Sequence, residues 1–364
     1  MMKKGYGTVC VLILNFLLPS CSKRITDSND SNDPVSYPQK FHVASNKIVD
    51  ESGGQVMFRG LAPIDPLYQY FASSESAFHD DDFVPWQERH FRTLSEWGTT
   101  IIRLGIEPAT WRAHGKEKAF EILDQAVAWA SKYEMYVMLD FHSIGFPPAE
   151  KYESNLHDLY GELYYTSREE IKAFWESISR QYASNNVVAF YELFNEPFGV
   201  DGPATPDDWQ PWKAFAETVI DIIRKNDPDA VVIGGGLDHG YDLSQVLQNP
   251  IDRPDLVYAT HPYPDKNKWG RNWDEAFGDV SAQYPVFATE FGFTPESERE
   301  YAGEGRYREA VFDYLESKKI SWTAWCFSRN WTPALLRDND YTPTEAGAFV
   351  RDKFQSISNG VFPK

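Results

Sequence analysis

The chain has 364 residues, 42% of them hydrophobic and 24% charged, with a formal net charge of -19. That composition excludes a largely disordered chain, and the acidity excludes a phosphate-backbone partner, so no nucleic acid is expected. Aromatic residues make up 15%, including 12 Trp, an excess that suits sugar-stacking sites or a large buried core.

Lys3 and Lys4 precede an apolar run from Val9 to Leu18. The run is too short to span a bilayer, so residues 1–20 read as a signal peptide of the bacterial secretory type. Leu18-Pro19-Ser20-Cys21 resembles a lipoprotein processing site, with Cys21 lipidated as the new N-terminus. Ordinary secretion beside an incidental cysteine is the alternative. Residues 21–38 are rich in Ser, Asp and Asn without apolar periodicity, a flexible polar tether. Cys10 leaves with the signal and Cys21 carries lipid, so Cys326 stands alone, without an internal disulfide or a cysteine metal site. The expectation is a monomer of the bacterial cell envelope, facing the periplasm or the exterior, held to the membrane by a lipid anchor only. Residues 39–364 would form a single domain.

Residues 41–58 alternate in polarity about Ser52-Gly53-Gly54 and predict a short β-hairpin. Apolar runs bounded by loops follow at 56–60, 99–104, 135–142, 187–195, 230–234, 256–261, 285–292 and 321–328. Several are apolar on both parities, as strands buried on both faces are. Between them, 117–133 carries Ala119, Ile122, Leu123, Ala126, Val127 and Ala130 at helical spacing. Phe215, Val219, Ile222 and Ile223 do the same in 213–226, which Asn226-Asp227-Pro228 ends. Eight strands alternating with helices predict an α/β fold, a (β/α)8 TIM barrel with a short N-terminal β-hairpin. A doubly wound sheet competes, but Arg59-Gly60-Leu61-Ala62-Pro63 is no glycine-rich phosphate turn.

In such a barrel the C-terminal strand ends carry the chemistry. Polar residues interrupt the apolar runs there: Arg103, then Asp140 and His142, then Asn195 and Glu196. His261 and Tyr263 come next, then Glu290, then Trp325. Carboxylates embedded in apolar strand ends are costly unless paired or used. Glu196 and Glu290 end the fourth and seventh strands, which face each other across a barrel mouth. Glycoside hydrolysis requires such a pair, one acid for the leaving oxygen and one carboxylate for the anomeric carbon. A merely structural role, each glutamate paired with Arg103 or a histidine, is the competing reading.

The ordered set Arg103, His142, Asn195, Glu196, His261, Tyr263, Glu290 and Trp325 resembles the strand-end signature of glycoside hydrolase family 5. The resemblance covers roughly 41–355 and is sharpest at Glu192-Leu193-Phe194-Asn195-Glu196-Pro197 and Ala288-Thr289-Glu290-Phe291-Gly292. It implies a retaining β-glycosidase without metal or cofactor. Glu290 would be the nucleophile and Glu196 the acid that later serves as base. Arg103 and Tyr263 would favour charged Glu290, whose charge would hold Glu196 protonated. Asn195 would bond the sugar 2-hydroxyl, His142 and His261 would orient substrate and acid, and Trp325 would floor the cleaved sugar. The implied activity is endo-hydrolysis of β-1,4-glucan, cellulose or mixed-linkage glucan. β-Mannan and xyloglucan are the alternatives within the family, and a non-catalytic surface glycan-binding lipoprotein is the alternative outside it. The long segment 144–166 is the expected determinant of substrate.

Trp331, in the loop after the eighth strand, suits a second sugar platform or a packing residue. Trp269, Trp273 and Phe146 read as packing residues, Asp140 as an internal hydrogen-bond partner, and the run 79–82 (HDDD) as a solvated loop rather than a metal site.

Overall fold

The computed structural model describes residues 37–74, 84–201, 204–266 and 272–358. The predicted signal peptide, Cys21, nearly all of the tether, the run 79–82 and Trp269 lie outside them.

Strands β1 (Phe41–Ala44) and β2 (Lys47–Asp50) pair antiparallel, Phe41 opposite Asp50. Their turn is Ser45-Asn46, with Ser45 at φ 57, not Ser52-Gly53-Gly54 as the alternation predicted. The reason is Asp50, whose carboxylate accepts from the backbone of Ser52 and Gly54 and closes a second turn over the glycines. The hairpin plugs the bottom of the barrel: Phe41 and Ile48 pack with Phe58, Ile101, Tyr136, Met138 and Phe190.

The first three barrel strands are β3 (Arg59–Ala62), β4 (Ile101–Ile106) and β5 (Tyr136–Phe141). Four short strands then fill the predicted segment 144–166: β6 (Ile144–Phe146), β7 (Lys151–Tyr152), β8 (Leu156–His157) and β9 (Gly161–Glu162). After them come β10 (Val188–Glu192), β11 (Glu196–Pro197), β12 (Val232–Gly235), β13 (Leu256–Thr260), β14 (Val286–Ala288) and β15 (Ser321–Trp325). Eight of these close a parallel barrel in the order β10-β12-β13-β14-β15-β3-β4-β5, one from each predicted run. Outside it, β11 pairs with β6 beside the mouth, and β8 with β9 in a small hairpin.

Side chains alternate between the two sides of the barrel wall. Ile102, Leu104, Val137, Leu139 and Tyr191 face the helices, whereas Ile101, Met138, Phe190, Ile233 and Phe287 fill the interior. Helices α1 (Pro66–Ser74), α2 (Glu88–Trp97), α3 (Pro108–Lys132), α4 (Arg168–Tyr182) and α5 (Pro206–Asn226), with 307–318 and 345–358, surround the wall. The predicted helix 117–133 gains an earlier turn from Pro108, joined through Gly115 at φ 71. The predicted 213–226 starts earlier too, at Pro206. There the Thr205 side chain and the Asp208 carboxylate form a capping box, with Pro206 in the first turn.

Candidate active site

One strand period above the apolar interior layer, the inward positions carry charge. On β4 this step leads from Ile101 to Arg103, and the guanidinium lies fully buried at the barrel axis. Its Nε donates to Glu192 Oε2 at 2.6 Å, Nη1 to Glu290 Oε1 at 2.5 Å and Nη2 to Asn195 Oδ1 at 2.8 Å. Asp140 Oδ2 lies 3.0 Å from Nη2. Burial opposes the guanidinium charge, but Asp140, Glu192 and Glu290 outweigh it and hold its pKa well above the ordinary value. Burial pushes Glu192 up in spite of Arg103. The fork also orients Asn195. A guanidinium offers donors only, so Oδ1 must face it and the amide nitrogen is left for other partners.

His142 sits with Nδ1 2.7 Å from Asp140 Oδ2, its ring nearly parallel to the Trp325 indole at 5.4 Å and 8°. Burial disfavours its proton, but Asp140 and then Glu290 outweigh burial and raise the imidazole to about 9. Gly105 makes room for it, since a Cβ there would stand 2.8 Å from His142 Nδ1.

The two predicted carboxylates meet at the mouth. Tyr263 donates its hydroxyl proton to Glu290 Oε2 at 2.9 Å, and His261 Nδ1 lies 2.9 Å from Glu196 Oε1. One oxygen of each glutamate and His261 Nδ1 all lie within 4.8 Å of one another. Such a trio has the donor set for a cation. Here, though, Glu196 and His261 already bond each other, and Tyr263 and Arg103 bond Glu290. Thr289 sets the tautomer of His261. Its hydroxyl donates to Glu192 Oε1 at 2.7 Å and lies 3.0 Å from His261 Nε2. A hydroxyl proton given to the carboxylate leaves only acceptor capacity for the ring, so Nε2 carries hydrogen and Nδ1 is the atom that faces Glu196.

The proton affinity of Glu196 differs from the prediction. Burial raises it, but Lys266, the hydrogen bond and charge of His261, and His239 lower it to about 2. Glu196 is therefore a carboxylate rather than an acid kept protonated by Glu290. Lys266 and His239, outside the predicted eight residues, contribute to this beside His261.

Trp331 stands edge-on to Trp325 at 6.1 Å and 66°, half-buried, so the structure brings the two predicted tryptophans together. Tyr68 continues the line 6.2 Å from Trp331. His157 and Tyr160, from the β8–β9 hairpin, cover Tyr68, with Nε2 of the histidine 2.9 Å from its hydroxyl. The segment 144–166 thus forms part of the cleft wall. Trp273 packs among Tyr301, Tyr307 and Tyr314, and Phe146 lies in the core. Asp140 is the internal partner expected, and Cys326 is buried and unbridged.

Several residues of this region went unassigned in the sequence. Glu192 and Thr289 had a signal: each lies two places beyond an interior Phe, 190 and 287, on inward parity. Asp65 and Glu107, at the ends of β3 and β4, form a buried acidic pair. Glu107 N–H donates to Asp65 Oδ2 at 3.1 Å, and Thr110 bonds the same oxygen. Burial pushes Asp65 up to about 6, and burial with the Asp65 charge pushes Glu107 up to about 8. Neither carboxyl oxygen of Glu107 has a hydrogen-bond partner. Lys266 and His239 lie in loops, where no parity marks them.

The cellulase family model (glycosyl hydrolase family 5) matches residues 68–330. Endoglucanase E-5 of Thermobifida fusca is 27% identical over 306 residues, 81% of this chain and 57% of that protein. Endoglucanase CelA of Streptomyces lividans is 29% identical over 293 residues, 74% of this chain and 56% of that protein. The chain thus spans a little over half the length of these curated relatives. Native β-glucanase SdGluc5_26A of Saccharophagus degradans superposes with a TM-score of 0.76 at 32% identity, covering 91% of this chain and 97% of that one. The same enzyme has been solved with cellotetraose. On the family match, and on this likeness over nearly the whole of a solved relative, the chain belongs to glycosyl hydrolase family 5.

Proposed function

We propose that this chain is an endo-acting β-1,4-glucanase that works by double displacement with retention at the anomeric carbon. The observation that carries the reading is the proximity of the two carboxylates, with oxygens within 4.8 Å. Retention needs carboxyl groups about 5 Å apart, whereas inversion leaves clearly more room for a water. The relatives named endoglucanase and the β-glucanase solved with cellotetraose support glucan over other β-linked polymers.

Glu290, bonded by Arg103 and Tyr263, attacks the anomeric carbon while the bond to the leaving oxygen breaks and Glu196 gives that oxygen its proton. A bound sugar expels water from the mouth, which strengthens the effect of burial on Glu196 and favours its protonated form. Once Glu290 is an ester its charge is gone, and Glu196 ionises readily to take a proton from the attacking water. The free amide nitrogen of Asn195 is the donor for the sugar 2-hydroxyl, a bond that strengthens in the transition state. Trp325 offers the sugar an apolar face, and Trp331 extends it.

The test is reducing-sugar release on carboxymethyl-cellulose, mixed-linkage glucan, glucomannan, galactomannan, xyloglucan and xylan, beside Glu290→Ala. Release should favour a glucan and fall at least about a thousandfold in the variant. Proton NMR of the first product should show the β-anomer. Full activity in Glu290→Ala refutes the site, and an α-anomer refutes retention. Preference for mannan or xyloglucan moves the substrate. Silence with retained glycan binding makes the chain a binding protein.

A further inference from the structure

At the bottom of the barrel, between the hairpin and the starts of β14 and β15, lies a cavity of about 230 Å³. The hairpin side contributes Lys47 and Gln55, and the barrel side Lys318, Lys319 and Ser321. Asn46 ties the two sides together, its Nδ2 donating to the Ser281 carbonyl at 3.0 Å. None of the residues that meet at the mouth lines this cavity.

The lining runs against the charge of the chain. Asp and Glu number 54 against 35 Lys and Arg, yet the described residues around the cavity include three lysines and neither Asp nor Glu. Two neighbouring cavities mix the signs, Lys40 with Asp227 and Asp229 in one and Arg253 with Asp255 in the other. Lys318 is engaged, its Nζ 2.7 Å from Asp274 Oδ1 and over the Tyr314 ring. Lys47 and Lys319 form no ion pair among the described residues. The floor holds a donor as well. Ser321 is 2% exposed and accepts from Phe58 N–H at 2.9 Å, but its own hydroxyl proton has no acceptor among the described residues. A buried hydroxyl ordinarily spends its donor. The Gln55 amide at the edge is unspent in the same sense.

We propose that this cavity binds a phosphate group. The unspent groups around it are two ammonium ions, a hydroxyl and an amide, and each of them can donate. They come from both walls. A tetrahedral oxyanion offers oxygens to the hairpin and to the barrel at once, whereas a planar carboxylate has only two, and lysine binds phosphate as a point charge. The volume is several times the roughly 30 Å³ that one water occupies, so the group enters with a substituent attached. Inorganic phosphate and the phosphodiester of a lipid headgroup share this chemistry. The site is independent of the hydrolytic reaction proposed above and remote from its carboxylates.

Isothermal titration calorimetry of the full chain with sodium phosphate, at an ionic strength held constant with sodium chloride, separates a site from general screening. One site per chain is expected. Lys47→Gln combined with Lys319→Asn should weaken it at least about tenfold. Both side chains are exposed, and asparagine suits the left-handed backbone of Lys319 at φ 57. Ser321→Ala is an independent second variant and should weaken binding with both lysines in place. Sedimentation with phosphatidylcholine vesicles, with and without phosphatidylglycerol, distinguishes the sources. Stronger retention on phosphatidylglycerol that the lysine variant loses identifies a headgroup, and equal retention with phosphate binding intact identifies free phosphate. No heat beyond the chloride control together with equal retention overturns the site, as does binding that all the variants leave unchanged.

Discussion

Glu107→Gln turns an ionisable buried side chain into one that stays neutral, and its effect should depend on pH in a calculable way. Burial and the neighbouring Asp65 raise Glu107 from an ordinary 4.5 to about 8. Below 4.5 it is protonated folded or unfolded, and the shift has no effect. Above 4.5 the unfolded chain ionises while the folded one keeps its proton, so stability is lost progressively up to about pH 8. At 1.36 kcal/mol per pKa unit, the loss between pH 5 and pH 8 is about 3 kcal/mol. The glutamine lacks this dependence. Its buried amide hydrogens, without acceptors, cost about 1–3 kcal/mol at either pH. Urea unfolding of parent and variant, followed by tryptophan fluorescence at pH 5 and pH 8, isolates the ionisation. The stability of the variant relative to the parent should improve by about 3 kcal/mol between the two pH values. An equal difference at both would mean that Glu107 titrates in the folded protein as in water, and the buried-acid argument would be wrong.

Thr289→Val removes the hydroxyl that bonds Glu192 and receives His261 Nε2–H. The expected loss is about 2–4 kcal/mol by urea unfolding, and Thr289→Ser should restore it. Full stability in Thr289→Val would sink the relay. For the proposed anchor, Cys21→Ala should move the protein from the membrane to the soluble fraction, and unaltered fractionation would refute lipidation.

The barrel was legible because its strands are buried on both faces. Runs such as Ile101–Leu104 and Val137–Phe141 must be apolar at every position that does not carry chemistry, so a polar residue among them stands out. Arg103, Asp140 and His142 were found in this way, and the closed sheet explains why Arg103, Glu192 and Glu290 lie far apart in sequence yet share one guanidinium. The hairpin turn was misplaced for the opposite reason. Ser52-Gly53-Gly54 has stronger turn chemistry than Ser45-Asn46, and only the Asp50 carboxylate, bonding back over the glycines, shows that they make the second reversal. Glu192 lay inside a quoted motif without a role, although counting in twos from Phe190 places it beside Arg103.

What parity cannot supply is the sign of a charge balance. Two carboxylates at one mouth suggest that each raises the other, and on that logic Glu196 should hold its proton. The balance is instead set by Lys266, His261 and His239, two of them delivered by loops whose paths depend on backbone angles such as the left-handed pair at 238 and 239. The positions of the proposed general acid and nucleophile are therefore strand-end properties that a sequence displays. The protonation state in which the acid waits is a loop property. On the proposed mechanism, an acid that rests as a carboxylate beside His261 needs substrate binding to do part of the protonating. On the proposed mechanism, changes confined to the 237–240 turn alter the resting protonation of Glu196 even though no residue of the strand-end octet is touched.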